Sequence, residues 1–195
     1  KKVRYNSLIT AGERALLSGR YARAQEKYEE ALKIKSSEAS ISNLIKAKIG
    51  EGDIQSIDSL LRKYKDSVSV KVITTAALDL EFAGFPVEGL ALLSKHRGTF
   101  ANDGRILYTA GQIQERRQNF AQAEMAYKSA LDSFPTDAYI QYAYARMLDM
   151  NKKLEEAVSA YIRIEKLETD AEIKKTASDR AAAITEYLKS VEEQK

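Results

Sequence analysis

The chain has 195 residues, of which 44% are hydrophobic and 30% are charged, a balance typical of globular rather than disordered proteins. It contains no cysteine, which excludes a disulfide framework and a thiolate zinc site, and its apolar runs are far shorter than the ~20 residues of a membrane-spanning helix. The formal net charge of +3 is concentrated in residues 1–35, where nine basic residues stand against four acidic ones, and we interpret this excess as a solvated helix face rather than as a specific nucleic-acid site.

Apolar residues at helical spacing predict three helix pairs in the first half of the chain. The first pair is expected over 5–18 and 21–34, with a turn at Gly19, which tolerates a positive φ. The second pair keeps the apolar spacing but replaces small residues with bulkier ones, so we expect a locally wider helix separation and an altered curvature there. The third pair is predicted over 70–83 and 87–95.

Two more pairs and a final helix are predicted in the second half. A polar stretch over 96–103 precedes them and is expected to form an exposed, flexible joint. Thr136 is expected to cap the first helix of the fifth pair, and 169–172 reads as a capping box that opens the final helix. That helix has an apolar stripe and a polar back, as expected of a helix that covers the end of a repeat array.

The first and fourth pairs can be superposed residue for residue. In the first pair the shared positions are Leu8, Ala11, Gly12, Tyr21, Ala24, Tyr28, Ala31 and Ser36, and in the fourth they are Leu107, Ala110, Gly111, Phe120, Ala123, Tyr127, Ala130 and Pro135. The period of about 34 residues and this pattern resemble the tetratricopeptide repeat (TPR) family.

The resemblance implies an all-α fold, a right-handed α-solenoid of about five helix-turn-helix repeats plus a C-terminal capping helix. We expect a single domain over 1–195. Its repeats are expected at 5–37, 38–69, 70–103, 104–137 and 138–169, and its capping helix at 170–193.

Catalytic motifs are not recognisable in the sequence. The one histidine, His96, has no acidic neighbours at metal-ligand spacing. Gly84 and Gly89 have the spacing of a phosphate-binding loop, but Leu90 and Ala91 follow where lysine and a hydroxyl residue are required. We therefore expect no enzyme, no cofactor and no metal site.

The family resemblance implies that the first helix of each pair lines a concave groove. In the register of the repeats, the predicted groove residues are Arg105, Tyr108 and Gln112 in the fourth repeat, Tyr139, Tyr142 and Arg146 in the fifth, and Lys71 and Thr74 in the third. Tyrosine and arginine are the side chains that most often anchor protein partners. The alternative is that these tyrosines pack between neighbouring helices as ordinary filling.

The preferred functional hypothesis is a non-enzymatic scaffold or adaptor that binds a peptide segment or helix of a partner protein in the groove, within a larger assembly in some cases. The alternative is a structural or oligomerisation module that associates through its terminal helix or its basic N-terminal face. Cytoplasm and periplasm both fit the composition. Because the first residue is Lys1 and not methionine, we expect an N-terminal segment to have been removed.

Overall fold

The computed structural model describes residues 1–100 and 103–194, in which it contains eleven α-helices and no strand. The helices are α1 (Lys2–Leu17), α2 (Tyr21–Ile34), α3 (Glu38–Glu51), α4 (Ile57–Lys63), α5 (Val70–Phe82), α6 (Pro86–His96), α7 (Gly104–Arg116), α8 (Phe120–Leu131), α9 (Ala138–Met150), α10 (Leu154–Glu165) and α11 (Ala171–Glu192). They form two compact units, Lys1–Phe100 with α1–α6 and Ala101–Lys195 with α7–α11. The all-α prediction is confirmed, with three helix pairs in the first unit and two pairs plus a final helix in the second.

The predicted joint over 96–103 lies partly outside the described residues, because 101 and 102 are not among them. Residues 97–100 form turns after α6, and Asp103 is the N-cap of α7, where its side chain accepts a hydrogen bond from the backbone N–H of Arg105.

A tyrosine packed beneath a glycine holds α1 against α2. Tyr28 of α2 is fully buried, and a Cβ on Gly12 of α1 would lie 2.8 Å from its ring. Ala24, one turn earlier on α2, is also fully buried. The chain reverses at Gly19, whose φ of 68° is in the left-handed region. The small residues and the tyrosine therefore set the spacing of this pair, as the sequence predicts.

The second pair differs from the others by a shortened helix, which the sequence does not predict. Helix α4 has only seven residues and is followed by a 3-10 turn at Lys65–Ser67. Because so short a helix covers little of its neighbour, α3 packs directly on α5. In the third pair, Gly89 allows a close backbone crossing, since a Cβ there would lie 2.6 Å from the carbonyl oxygen of Ala77.

The second unit repeats the glycine–tyrosine packing of the first pair, and its last helix covers the final pair. A Cβ on Gly111 of α7 would lie 2.6 Å from the ring of Tyr127, which is 1% exposed. Helix α11 places Ala177, Ala181 and Ile184 into one buried cluster with α9 and α10 residues. It therefore covers the apolar face of the last pair, which is the role predicted for it.

Two of the predicted helix caps are wrong by one residue. Asp137, and not Thr136, is the N-cap of α9, and its Oδ1 accepts hydrogen bonds of 2.9 and 3.0 Å from two backbone N–H groups of the first turn. Asp170, and not Thr169, caps α11 and accepts a 2.9 Å bond. A carboxylate both accepts these bonds and interacts favourably with the helix dipole. With Asp170 as the N-cap, the third residue of α11 is Ile173 and not Glu172, so the predicted capping box does not form.

The turns inside the pairs differ between the two units in residue type. Gly19, Gly52 and Gly84 have φ values of 68°, 83° and 91°. In the second unit Gln118 and Lys152 take the same role with φ values of 61° and 63°. A side chain in this conformation costs about 1 kcal/mol relative to glycine.

Candidate partner-binding surface

Two of the three tyrosines predicted to line a groove, Tyr108 and Tyr142, are partly buried and packed against tyrosines of the second helices. The rings of Tyr108 and Tyr127 have centroids 5.6 Å apart at 46°, and those of Tyr142 and Tyr161 are 5.8 Å apart at 59°. Such tilted pairs are favourable arrangements for aromatic rings. One part of each first-helix tyrosine thus fills the space between helices, while the other part stays accessible.

A partly buried carboxylate connects Tyr127 to an arginine on the next first helix. The Tyr127 hydroxyl donates a 2.8 Å hydrogen bond to Oε2 of Glu115, and Arg146 of α9 forms an ion pair with the same carboxylate. The arginine and its carboxylate are 31 residues apart in the chain.

The pairing of an arginine with a carboxylate on the preceding first helix recurs one repeat later. Nε and Nη2 of Arg180, on α11, donate bonds of 2.7 and 3.0 Å to Asp149 of α9, again across 31 residues. Only 13% of the Asp149 side chain and 51% of the Arg180 side chain are exposed. The guanidinium groups are therefore held in place while part of each remains open to solvent.

Burial raises the pKa of Tyr108 and Tyr127 above the ordinary value of a phenol. Burial raises the pKa of Tyr127 far above its ordinary value, and the hydrogen bond to Glu115 acts in the same direction. Burial also raises the pKa of Tyr108, assisted by the negative charges of Asp137 and Glu115.

Two predicted groove residues are engaged by helix caps. Arg105 forms an ion pair with Asp103, the N-cap of its own helix, which lowers the pKa of that carboxyl group. The hydroxyl of Tyr139, which is 60% exposed, donates a 3.2 Å bond to Asp170. Sequence reasoning placed both residues on the right helices but did not anticipate these partners.

The remaining predicted groove residues are Gln112, Lys71 and Thr74. Gln112 is partly buried on α7 and hydrogen-bonds the side chain of Tyr108. Lys71 and Thr74 lie on α5 of the first unit, where Lys71 is exposed and the Thr74 hydroxyl donates a 3.0 Å bond to the carbonyl of Val70. The second unit therefore brings together Tyr108, Gln112, Tyr142 and Arg146 on α7 and α9.

An open cavity of about 450 Å³ lies beside Tyr142 and Arg146, between α9 and α11. Its wall also includes Met150, Arg180 and Ala183. Sequence reasoning missed Met150 at the end of α9, and it missed Arg180 and Ala183 because it interpreted α11 only as a cap. The repeat period contained the signal, since Arg180 follows Arg146 by about one repeat of 34 residues.

The residues described in the structure contain no cluster of three or more His, Asp or Glu side chains that could hold a metal ion. His96 is partly buried, and its Nε2 lies 3.8 Å from Oδ1 of Asp58, which is too long for a hydrogen bond. Burial lowers the pKa of His96. Across 1–100 and 103–194, none of the helices has the length and apolarity needed to cross a membrane.

Comparisons with known proteins agree on one fold. Residues 108–170 match the tetratricopeptide repeat family model. A MamA structure from Desulfovibrio magneticus RS-1 is 15% identical and covers 85% of this chain and 95% of its own, with a TM-score of 0.54. The Pseudomonas aeruginosa pilF structure is 18% identical and covers 97% and 92%, with a TM-score of 0.53.

A thermophilic TPR protein of Thermus thermophilus is 16% identical and covers 90% of this chain and 98% of its own, with a TM-score of 0.55. Likeness at these identities concerns the fold, and no curated protein matches the sequence. Residues 108–170 thus match the tetratricopeptide repeat, a family whose members are generally non-catalytic scaffolds for protein interactions, and the chain as a whole shares the helical-repeat fold of these solved structures.

Proposed function

We propose that the chain is a non-enzymatic adaptor that binds a peptide segment or helix of a partner protein on the first-helix face of its repeats. In the second unit the proposed contacts are Arg105, Tyr108, Gln112, Tyr139, Tyr142 and Arg146. In the first unit they are Lys71 and Thr74. The observation that supports this most directly is the open cavity of about 450 Å³ beside Tyr142 and Arg146. We further propose the predicted single domain over 1–195 and its repeat boundaries.

The cavity has the chemistry of an anchoring site for one apolar side chain. Tyr142, Ala183 and the half-exposed Met150 provide apolar walls. Arg146 and Arg180 are already paired with carboxylates, so the site carries little net charge and its donors are fixed before a partner arrives. Fixed donors reduce the ordering cost of binding. A partner would thus place an apolar side chain between the helices and offer backbone carbonyl groups to the arginines.

The test is a triple change of Tyr108, Tyr142 and Arg146 to alanine, with capture of native partners from lysate and circular dichroism as readouts. Each true anchor contributes about 2 kcal/mol or more, so losing even one should weaken binding roughly 30-fold. Helicity should be retained, because the small residues that space the helices are untouched.

The matched control changes Glu26, Lys27 and Glu30 of α2 to alanine. These three side chains pair with one another at 2.8 and 2.9 Å, so removing all three leaves no unpaired charge behind. Capture should be unaffected. If the groove variant still captured the same partners, or if the α2 variant lost them, the groove proposal would be wrong and the oligomerisation alternative would take its place.

A further inference from the structure

A polar contact recurs between the second helix of one pair and the turn of the next pair. The fifth residue of α8, Glu124, is 8% exposed and accepts bonds of 2.7 Å from Asn151 Nδ2 and 2.6 Å from Lys153 Nζ. The fifth residue of α2, Gln25, accepts a 3.4 Å bond from Lys48 of α3. In both units an acceptor at one position of a second helix therefore meets a basic side chain beside the following turn.

The α1–α2 turn has basic and polar residues at the positions that donate hydrogen bonds in this contact. Arg20 is the N-cap of α2, as Lys153 is the N-cap of α10, and Ser18 is the C-cap of α1, as Asn151 is the C-cap of α9. Arg14 lies one turn before the C-cap of its helix, the position that Lys48 has in α3.

Three arginine residues lie at this turn. Arg14, Arg20 and Arg23 line an open cavity of about 250 Å³ together with Ser18. None of the three forms an ion pair with an acidic side chain of the residues that the structure describes. No side chain caps the first turn of α2, so the positive end of this helix adds to the local field.

The surroundings fit a helix rather than a free anion. Leu17 of α1, next to the cavity residue Ser18, is 88% exposed. An acidic side chain on a packed helix would satisfy the arginines while its apolar neighbours covered this leucine. Glu124 of α8 shows within this chain what such a docked helix looks like.

We propose that the Arg14–Arg20–Arg23 cavity receives the carboxylate of an acidic side chain carried by an amphipathic helix of a partner protein, which packs on the α1–α2 pair as α8 packs on the α9–α10 turn. This surface is separate from the one proposed above, so either proposal can fail without the other.

The test measures binding of a stapled helical peptide of sequence Phe120–Leu131, in which Glu124 presents the carboxylate, and of a matched Glu124→Gln peptide. Fluorescence anisotropy gives the affinities, and NMR of arginine Nε–Hε groups locates the contact. The Glu peptide should bind about tenfold more tightly, as expected for a charged hydrogen bond, and it should shift the Arg14, Arg20 and Arg23 resonances.

Two protein variants control for overall charge. The R14Q/R20Q/R23Q variant should bind both peptides equally. The K2Q/K33Q/K35Q variant, which loses the same charge from the same helix pair, should retain the tenfold difference, and circular dichroism should show equal helicity in both. A single R20Q variant should lose part of the difference.

Several results would overturn the proposal. Equal binding of the two peptides to the parent protein is one, and a tenfold preference that survives in R14Q/R20Q/R23Q is another. Inorganic phosphate that shifts the three arginines when the peptide does not would identify a small-anion site instead. Self-association of the parent that disappears in the triple variant would show that a second copy of the chain is the occupant.

Discussion

Replacing Gly111 with alanine should destabilise the second unit, although alanine is the better helix former. The new Cβ would lie 2.6 and 2.7 Å from two ring carbons of Tyr127, and overpacking of this kind costs about 1–3 kcal/mol. The ring has no free direction, because it is 1% exposed and its hydroxyl is bound to Glu115 at 2.8 Å. Displacing it would also weaken a hydrogen bond to a charged group, which contributes about 1.5–3 kcal/mol.

Against these costs stands a gain of about 1 kcal/mol in helix propensity. We therefore expect a net loss of about 2 kcal/mol, measured by urea unfolding followed by circular dichroism. Gly12→Ala is the matched control, since its Cβ would meet Tyr28 at 2.8 Å while the Tyr28 hydroxyl has no hydrogen-bond partner among the described residues. This change should cost less than Gly111→Ala. A Gly111→Ala protein as stable as the parent would refute the reasoning.

Three further predictions concern stability. Lys152→Gly should raise the free energy of unfolding by about 0.5–1 kcal/mol in urea melts, because glycine adopts the left-handed turn without strain; a loss would contradict the strain argument. Amides from Tyr108 to Ile164 should exchange more slowly than those from Ile41 to Tyr64, where α4 has only seven residues; hydrogen-exchange mass spectrometry that shows uniform protection would oppose this. The Lys95 hydrogen bond lowers the pKa of Asp58, so its contribution to stability is present above the unfolded pKa of about 3.9 and is lost as pH falls through the folded value. The melting temperature of an Asp58→Asn variant should therefore fall less steeply below about pH 4. An unchanged dependence of melting temperature on pH would exclude Asp58 as a contributor to acid stability.

The helix pairs could be predicted from sequence because they depend on a repeated volume pattern. The first and fourth pairs have a glycine or alanine where their helices cross and a tyrosine on the facing helix, and few other packing arrangements fit these side-chain sizes. The same contact is made by Gly12 with Tyr28 and by Gly111 with Tyr127. The shortening of α4 could not be predicted, since apolar spacing does not determine where a helix ends.

The polar details of the site were harder to predict. Adjacent Thr136 and Asp137 are both good caps, and only the backbone angles select between them. The pairing of Arg146 with Glu115 depends on side-chain directions across two helices 31 residues apart, which composition does not reveal. The ion pair of Arg105 with Asp103 likewise depends on a side-chain direction that the sequence does not specify. Groove residues could thus be assigned to helices, but their partners could not.

The buried tyrosines also set an alkaline limit for the folded chain. Burial raises the pKa of Tyr28 to about 12 and those of Tyr127 and Tyr161 further. A group whose pKa is raised on folding stabilises the native state fully below its unfolded pKa, about 10 for tyrosine, and loses that contribution as pH rises above it. In strong base these phenols therefore ionise together with unfolding, so the residues that space the helices also determine the highest pH at which the repeats stay assembled.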